Sequence, residues 1–268
     1  MHIDTQGSGP PLLLLHGWAM HGGVFAPLVE RLAADFTLHL VDLPGHGRSA
    51  AATTPLALEA VASELVARVP RALWLGWSLG GLFALHAAAT RPHAVRGLAL
   101  LCASPRFVRG EDWNYGMSPD LFAEFAEGLR RDWRGTLERF IALEAFGSDH
   151  ARDELRALRD GLFARGEPAA QALADGLELL QATDLRAALP RLTVPSLWLA
   201  GRRDRVVDPR AMRAAAERAP RSRFEQIEHA GHAPFLTHAG VVAEVLRGFQ
   251  AGLEEREARN GERGTRNE

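Results

Sequence analysis

Ala72-Leu73-Trp74-Leu75-Gly76-Trp77-Ser78-Leu79-Gly80-Gly81 is the stretch on which the reading of this chain turns. An apolar run, Ala72 to Leu75, enters the pentapeptide Gly76-Trp77-Ser78-Leu79-Gly80, and an Ala-rich run with helical character follows from Leu82 to Thr90. G-x-S-x-G between a strand and a helix is the pattern of a nucleophile elbow. The sharp turn forces the serine into a strained backbone conformation. Side chains two residues to either side would clash, so glycine stands at both places. The turn lifts the Ser78 hydroxyl out of the sheet, and the start of the helix behind it favours developing negative charge. The pentapeptide alone recurs by chance in roughly one chain in ten of this length, given ordinary glycine and serine usage. Its flanking elements and its partners carry the reading.

A serine hydroxyl is a poor nucleophile until a base takes its proton, and on this architecture an acid and then a histidine follow it in the chain. Ser196-Leu197-Trp198-Leu199-Ala200 reads as a buried strand, and Asp204 lies in the loop just past it. Phe224-Glu225-Gln226-Ile227 reads as another strand, and His232 follows it within His229-Ala230-Gly231-His232-Ala233-Pro234-Phe235. Both fall beyond the carboxyl ends of strands, where open α/β sheets place their ligands. Asp208 and Glu228 are rival acids, and His229 and His238 rival bases.

Two further segments fit. Leu12-Leu13-Leu14-Leu15-His16-Gly17-Trp18 is an apolar strand running into a His-Gly turn. The loop after such a strand supplies one oxyanion-hole N–H, assigned to Trp18, and the residue after the nucleophile, Leu79, supplies the other. His16 is read as ordering this loop by hydrogen bonding rather than as a base. Asp42-Leu43-Pro44-Gly45-His46-Gly47-Arg48-Ser49 follows the strand Leu38 to Val41 as a tight turn braced by Asp42.

With 268 residues, 47% of them hydrophobic, the chain can bury one large core. A net charge of −2 makes no electrostatic case for nucleic acid. The lone Cys102, in the apolar run Gly97 to Cys102, forms no internal disulfide and is read as a small buried hydrophobe. No stretch approaches the ~20 apolar residues of a membrane helix, and the N-terminus lacks the pattern of a signal peptide, so a cytoplasmic enzyme is expected. The chain contains no lysine, which excludes Schiff-base and Ser–Lys chemistry and pyridoxal phosphate attachment. There is no C-x-x-C, H-E-x-x-H or Walker A loop, so no metal and no cofactor are expected.

Strand signals near 12–15, 38–42, 72–76 and 97–102 alternate with helix signals near 24–34, 56–68 and 79–90. That alternation implies an α/β fold with a mainly parallel twisted sheet and helices on both faces. From about 106 to 184 the pattern changes to helices alone, near 119–130, 133–146, 149–164 and 168–182, with Pro119 and Pro168 fitting first-turn positions. This segment is expected to be an inserted helical lid. The core, 1–105, resumes over 185–253 with strands at 196–200 and 223–227 and a last helix near 239–252. The polar, charged tail 254–268 is expected to be disordered.

The lid offers two opposed signals. Trp113, Phe122, Phe125, Trp133, Phe140, Leu143 and Phe146 can pack it on the core or wall an apolar acyl slot. Arg130, Arg131, Arg134, Arg139, Arg152, Arg156 and Arg159 are basic; Arg152, Arg156 and Arg159 share one helix face, which is either solvated and paired with Asp153, Glu154 and Asp160, or part of a docking surface for an acidic partner.

These motifs resemble those of α/β-hydrolases over roughly residues 8 to 250. More narrowly, the chain is similar to the pimeloyl-[acyl-carrier protein] methyl ester esterases of biotin biosynthesis. The resemblance rests on Leu15-His16-Gly17-Trp18, Phe36 to Gly45, Trp74 to Gly81, Glu138-Arg139-Phe140-Ile141-Ala142-Leu143, Gly176 to Leu180, Thr183 to Arg186 and His232-Ala233-Pro234-Phe235. It implies a Ser78, Asp204, His232 triad and an acyl site lined by Trp18, Ser78, Leu79, His232 and the segment Phe140, Ile141, Ala142, Leu143 and Glu144. It implies docking of an acyl carrier protein through Arg139, Arg152 and Arg156, with Arg134 one residue out of step with the family pattern. A monomer is expected, although the sequence is silent on oligomeric state. A broad short-chain carboxylesterase, a carbon–carbon bond hydrolase and a non-catalytic ligand-binding receptor are the competing expectations.

Overall fold

The computed structural model describes residues 1–264. Its sheet is made of β1 (His2–Gly7), β2 (Pro11–Leu15), β3 (Thr37–Asp42), β4 (Ala72–Trp77), β5 (Val95–Leu101), β6 (Ser196–Gly201) and β7 (Ser222–Ile227). The strand order is β1-β3-β2-β4-β5-β6-β7. β1 runs antiparallel to β3, and every other pairing is parallel. β2 and β4 lie in the middle with both faces covered, which is why Leu12 to Leu15 and Ala72 to Trp77 are apolar without alternation. β1, by contrast, is a polar and half-exposed edge, and the sequence carried no strand signal there.

Helices α1 (Ala26–Leu32), α2 (Leu58–Arg68) and α3 (Leu79–Thr90) cover the first half of the sheet. Between β5 and β6 the chain inserts α4 (Pro119–Arg131), α5 (Trp133–Ala145), α6 (Ala151–Leu162) and α7 (Ala170–Ala182). Local chemistry starts these helices: the Ser118 hydroxyl accepts from the Leu121 N–H at 3.3 Å, with Pro119 at the first helical position. Asp132 likewise accepts from the Gly135 N–H at 2.9 Å. Pro168 is not a first-turn residue; α7 begins two residues later, and Ala169 donates its N–H to the Gly45 carbonyl at 2.7 Å.

The insertion is tied to the sheet by polar contacts. His21 Nε2 bonds the Gly161 carbonyl at 2.8 Å, and the Arg165 guanidinium reaches Asp42 at 3.1 Å and Asp4 at 3.0 Å. Asp42 is fully buried and also accepts from the N–H groups of Gly22 and Arg48, so the turn it braces is fixed to the insertion too.

After β6 come α8 (Pro209–Ala216), α9 (Pro234–Thr237) and α10 (Ala239–Gly264). The first two carried too few residues to show a helical period. α10 corrects the expectation of a disordered segment from 254: the helix continues to Gly264, with Glu257 paired to Arg71 at 2.8 Å and to Arg96 at 2.6 Å. Residues 265–268 lie outside the described residues.

Candidate active site

Ser78 stands between β4 and α3 with φ 53° and ψ −120°, a left-handed conformation that costs a non-glycine residue about 1–3 kcal/mol. The glycines on either side permit it. A Cβ on Gly76 would lie 2.4 Å from the Gly80 carbonyl oxygen, and one on Gly80 would lie 2.2 Å from the Leu15 carbonyl oxygen. The elbow thus closes on itself and on the end of β2.

His232 lies in the loop after β7 and Asp204 in the loop after β6. His232 Nε2 is 2.9 Å from Ser78 Oγ, and His232 Nδ1 is 2.8 Å from Asp204 Oδ2. The other oxygen of Asp204 accepts from the N–H groups of Val206 (2.8 Å) and Val207 (2.9 Å), which fixes the carboxylate's orientation. All three side chains are buried. Burial pushes the imidazole toward its neutral form, but Asp204, with Glu144 and Glu154 behind it, outweighs this and raises the His232 pKa.

The rivals are elsewhere. Asp208 caps α8 and pairs with Arg210, Glu228 pairs with Arg202, His229 pairs with Asp149, and His238 lies against Thr237 and His150.

Trp77 does more than precede the serine. Its indole N–H donates to the His232 carbonyl at 2.8 Å, and its ring packs edge-on against Phe235. The residue before the nucleophile therefore fixes the loop that carries the histidine, a role no motif announces.

The turn after β2 reaches the same place. A Cβ on Gly17 would lie 3.3 Å from Ser78 Cβ. His16 is fully buried, bonds the Gly17 carbonyl at 2.8 Å through Nδ1 and accepts the Leu43 N–H at 2.9 Å through Nε2. It joins two loops and makes no hydrogen bond to a triad member among the described residues. Leu79 is the first residue of α3, so its N–H has no intrahelical acceptor. The Trp18 N–H has no protein acceptor among the described residues. Trp18 is held from above: its indole N–H donates to the Leu173 carbonyl of α7 at 2.9 Å. Gly176 of the same helix leaves room for the ring, since a Cβ there would come within 2.6 Å of Trp18 Cδ1.

α5 supplies the opposite wall. Phe140 packs edge-on against Trp18 with ring centroids 4.7 Å apart, and Phe125 of α4 packs on Phe140 at 5.6 Å. Phe140, Ile141 and Glu144 are buried, and Leu143 is half-buried. Ala142 is a correction: it is exposed, because helical geometry turns it away from the face that Phe140, Ile141 and Glu144 share. Phe146 is a second, 64% exposed and therefore not part of an apolar wall. Outside this wall a groove of about 890 Å³ opens between α4 and α5, lined by Leu121, Phe125, Arg131, Arg139 and Leu143 among others.

The arginines of the insertion divide by partner. Arg130 and Arg131 pair with Glu127, Arg134 with Glu167, Arg156 with Asp153 and Arg159 with Glu138. Arg139 donates to the Thr136 hydroxyl, and Arg152 makes no ion pair among the described residues. Glu154 is no arginine's partner: it is buried, with Ser148 and Thr237 donating to it at 2.8 Å each.

Cys102, Asp204 and His232 bring possible ligand atoms within 4.8 Å of one another. The direct His232–Asp204 bond occupies the space between those two residues. Burial, then Asp204, pushes the Cys102 thiol well above its ordinary pKa, away from the thiolate a metal requires. The residues do not fit an ion. Cys102 sits just past the end of β5, with φ 47° and its thiol toward the Gly231 carbonyl at 3.7 Å.

A strained serine on a strand–helix elbow, a buried histidine and an aspartate in that chain order define a class, and comparison agrees: residues 10–239 match the alpha/beta hydrolase fold family, to which this chain belongs. Within it, the chain is 62% identical over 253 residues to a pimeloyl-[acyl-carrier protein] methyl ester esterase of Xanthomonas campestris pv. campestris, covering 94% of this chain and 100% of that protein. A protein of the same name from Stenotrophomonas maltophilia is 60% identical over 253 residues, covering 94% and 97%. Among solved structures, an esterase from Exiguobacterium antarcticum superimposes with a TM-score of 0.81 at 25% identity, covering 92% of this chain and 94% of that one.

Proposed function

We propose that this chain hydrolyses the methyl ester of pimeloyl-[acyl-carrier protein] to pimeloyl-[acyl-carrier protein] and methanol in biotin biosynthesis. The observation that carries the reading is the unbroken run of hydrogen bonds from Asp204 through His232 to Ser78, under an apolar wall, in a chain whose relatives bear that name.

In the first step His232 Nε2 takes the Ser78 proton as Oγ attacks the ester carbonyl. Asp204 holds the imidazole in the required orientation and stabilises its cation. The N–H groups of Trp18 and Leu79 receive the oxyanion; loss of one such donor typically costs about 10²–10³ in rate. The intermediate collapses, methanol leaves with the proton from Nε2, and water then cleaves the acyl-enzyme by the same route.

Residues 106–184 act as the lid. Phe125 lines the α4–α5 groove and packs with Phe140 and Trp18; in this reading the acyl chain enters along the groove and displaces these rings to reach Ser78. Arg139 at the groove and Arg152 and Arg156 on the exposed side of α6 offer positive charge to an acidic carrier protein. Such docking holds the carrier's thioester at a fixed distance from Ser78 and leaves the terminal ester as the bond within reach. Among the described residues no helix is long and apolar enough to cross a membrane, and the exposed large apolar residues are Phe146, Phe163 and Val241. Action as a monomer in the cytoplasm is part of the same proposal.

The test is the ratio of kcat/KM for the carrier-bound methyl ester to that for a small nitrophenyl ester. A large preference for the carrier-bound ester is expected. Turnover of the small ester alone would leave the serine chemistry standing and remove the carrier.

A further inference from the structure

Glu144 of α5 is fully buried with Oε1 3.8 Å from His232 Nε2, the nitrogen that holds Ser78. Neither of its carboxyl oxygens has a hydrogen-bond partner among the described residues. Most buried polar groups are satisfied, and each orphan costs about 1–3 kcal/mol. One that stands beside a reacting nitrogen is placed where a reacting group can complete it. The ionisable groups that face it are His232 from the loop after β7, Asp204 from the loop after β6 and Glu154 from α6.

Ser78 Oγ does not reach Glu144, but two atoms 3.8 Å apart can share an oxygen that lies between them, bound to Nε2 on one side and to Glu144 Oε1 on the other. In the ester hydrolysis proposed above, on which this inference rests, that place is filled twice. The methanol oxygen leaves from it with the proton of Nε2, and the hydrolytic water enters it to give a proton back. We propose that Glu144 is a positioning residue for these two oxygens, holding beside His232 first the departing methanol and then the water that replaces it.

In the second step the water donates one hydrogen toward Nε2 and the other to the Glu144 carbonyl oxygen. Its lone pair forms the new C–O bond to the acyl carbon as Nε2 takes the first proton and the carbonyl pair moves to the oxyanion. The pair returns, the bond from carbon to Ser78 Oγ breaks, and Nε2 delivers its proton to Oγ. The released acid ionises in solvent. Glu144 works in its neutral form. An ionised carboxylate there would pair with a proton on Nε2 and hold the base in its cationic state. Burial supplies the neutral form, pushing the Glu144 pKa up to about 8; His232 opposes this, and Asp204 and Glu154 add to it.

Glu144→Leu and Glu144→Gln, assayed by rapid mixing with a nitrophenyl ester, test the proposal. Glu144→Leu should give a full burst from acylation of Ser78, followed by deacylation slowed about 10- to 100-fold. Glu144→Gln, which keeps a carbonyl acceptor, should slow far less. It should also lack the decline in deacylation expected of the wild type as pH rises past about 8. Wild-type deacylation in Glu144→Leu, an equal fall of burst and steady state in both variants, or an unchanged alkaline decline in Glu144→Gln would each overturn it. If Glu144→Leu does not fold, the alkaline limb of Glu144→Gln decides alone. A wild type without Ser78-dependent turnover would instead overturn the hydrolase reading beneath it.

Discussion

Replacing Glu144 with glutamine should stabilise the protein, and the gain should grow with pH. The carboxyl is fully buried and its pKa is pushed from 4.5 up to about 8, whereas in the unfolded chain it titrates near 4.5. Between those values the native state keeps a proton that the unfolded state has released. Stability therefore falls as pH rises through the window, and it is fully lost only above the native pKa. At about 1.4 kcal/mol per pH unit, the penalty is of order 3 kcal/mol at pH 7 and of order 5 kcal/mol at pH 8 and above. Glutamine has similar shape and hydrogen-bonding capacity but no proton to lose, so it carries none of this. Urea unfolding of both proteins at pH 5, 7 and 8.5 measures the difference. Near-equality at pH 5 and a variant more stable by several kcal/mol at pH 8.5 is the expected result. A difference that does not change with pH would mean that the Glu144 carboxyl is not held neutral in the native state.

Further expectations follow from single contacts. Trp77→Phe removes the indole donor to the His232 carbonyl while keeping most of the packing; kcat should fall about tenfold with little change in KM, as for a lost hydrogen bond of 1–2 kcal/mol. Gly176→Ala places a Cβ against Trp18, so ester turnover should fall and thermal stability drop by about 1–3 kcal/mol; an unaltered enzyme would mean that α7 does not hold the oxyanion loop. Arg152→Glu with Arg156→Glu should raise KM for carrier-bound ester about 10- to 100-fold at low salt and spare a small ester. Equal loss on both substrates would assign these arginines to stability.

The parts of the molecule visible in the sequence are those whose residue types are forced locally. Gly76 and Gly80 announce the elbow because backbone passes where a Cβ would sit. β2, β4 and β6 announce themselves because burial on both faces leaves almost only apolar choices, Ser196 at the start of β6 excepted. Asp204 and His232 could be narrowed by chain order and by the strands before them, although rivals stood close by. What stayed hidden depends on contacts between distant segments. β1 is an edge strand with a polar, half-exposed face. The charged stretch after Glu254 looks like a free tail, yet Arg71 and Arg96 pair with Glu257 and the helix runs on. Arg165 is one more arginine in an arginine-rich insertion until it is seen on buried Asp42. Within Phe140 to Glu144 the sequence could not tell that Ala142 points outward. Nor could it tell that Glu144 lies beside the histidine with neither carboxyl oxygen hydrogen-bonded among the described residues.

Esterase action at Ser78 is read most simply from the mass of pimeloyl-carrier methyl ester after incubation with the wild type and with Ser78→Ala. The wild type should convert the terminal methyl ester to the free acid while the thioester stays intact, and Ser78→Ala, folded, should leave the substrate unchanged. Release of the acyl group from the carrier, or conversion by Ser78→Ala, would rule out terminal-ester hydrolysis by this serine.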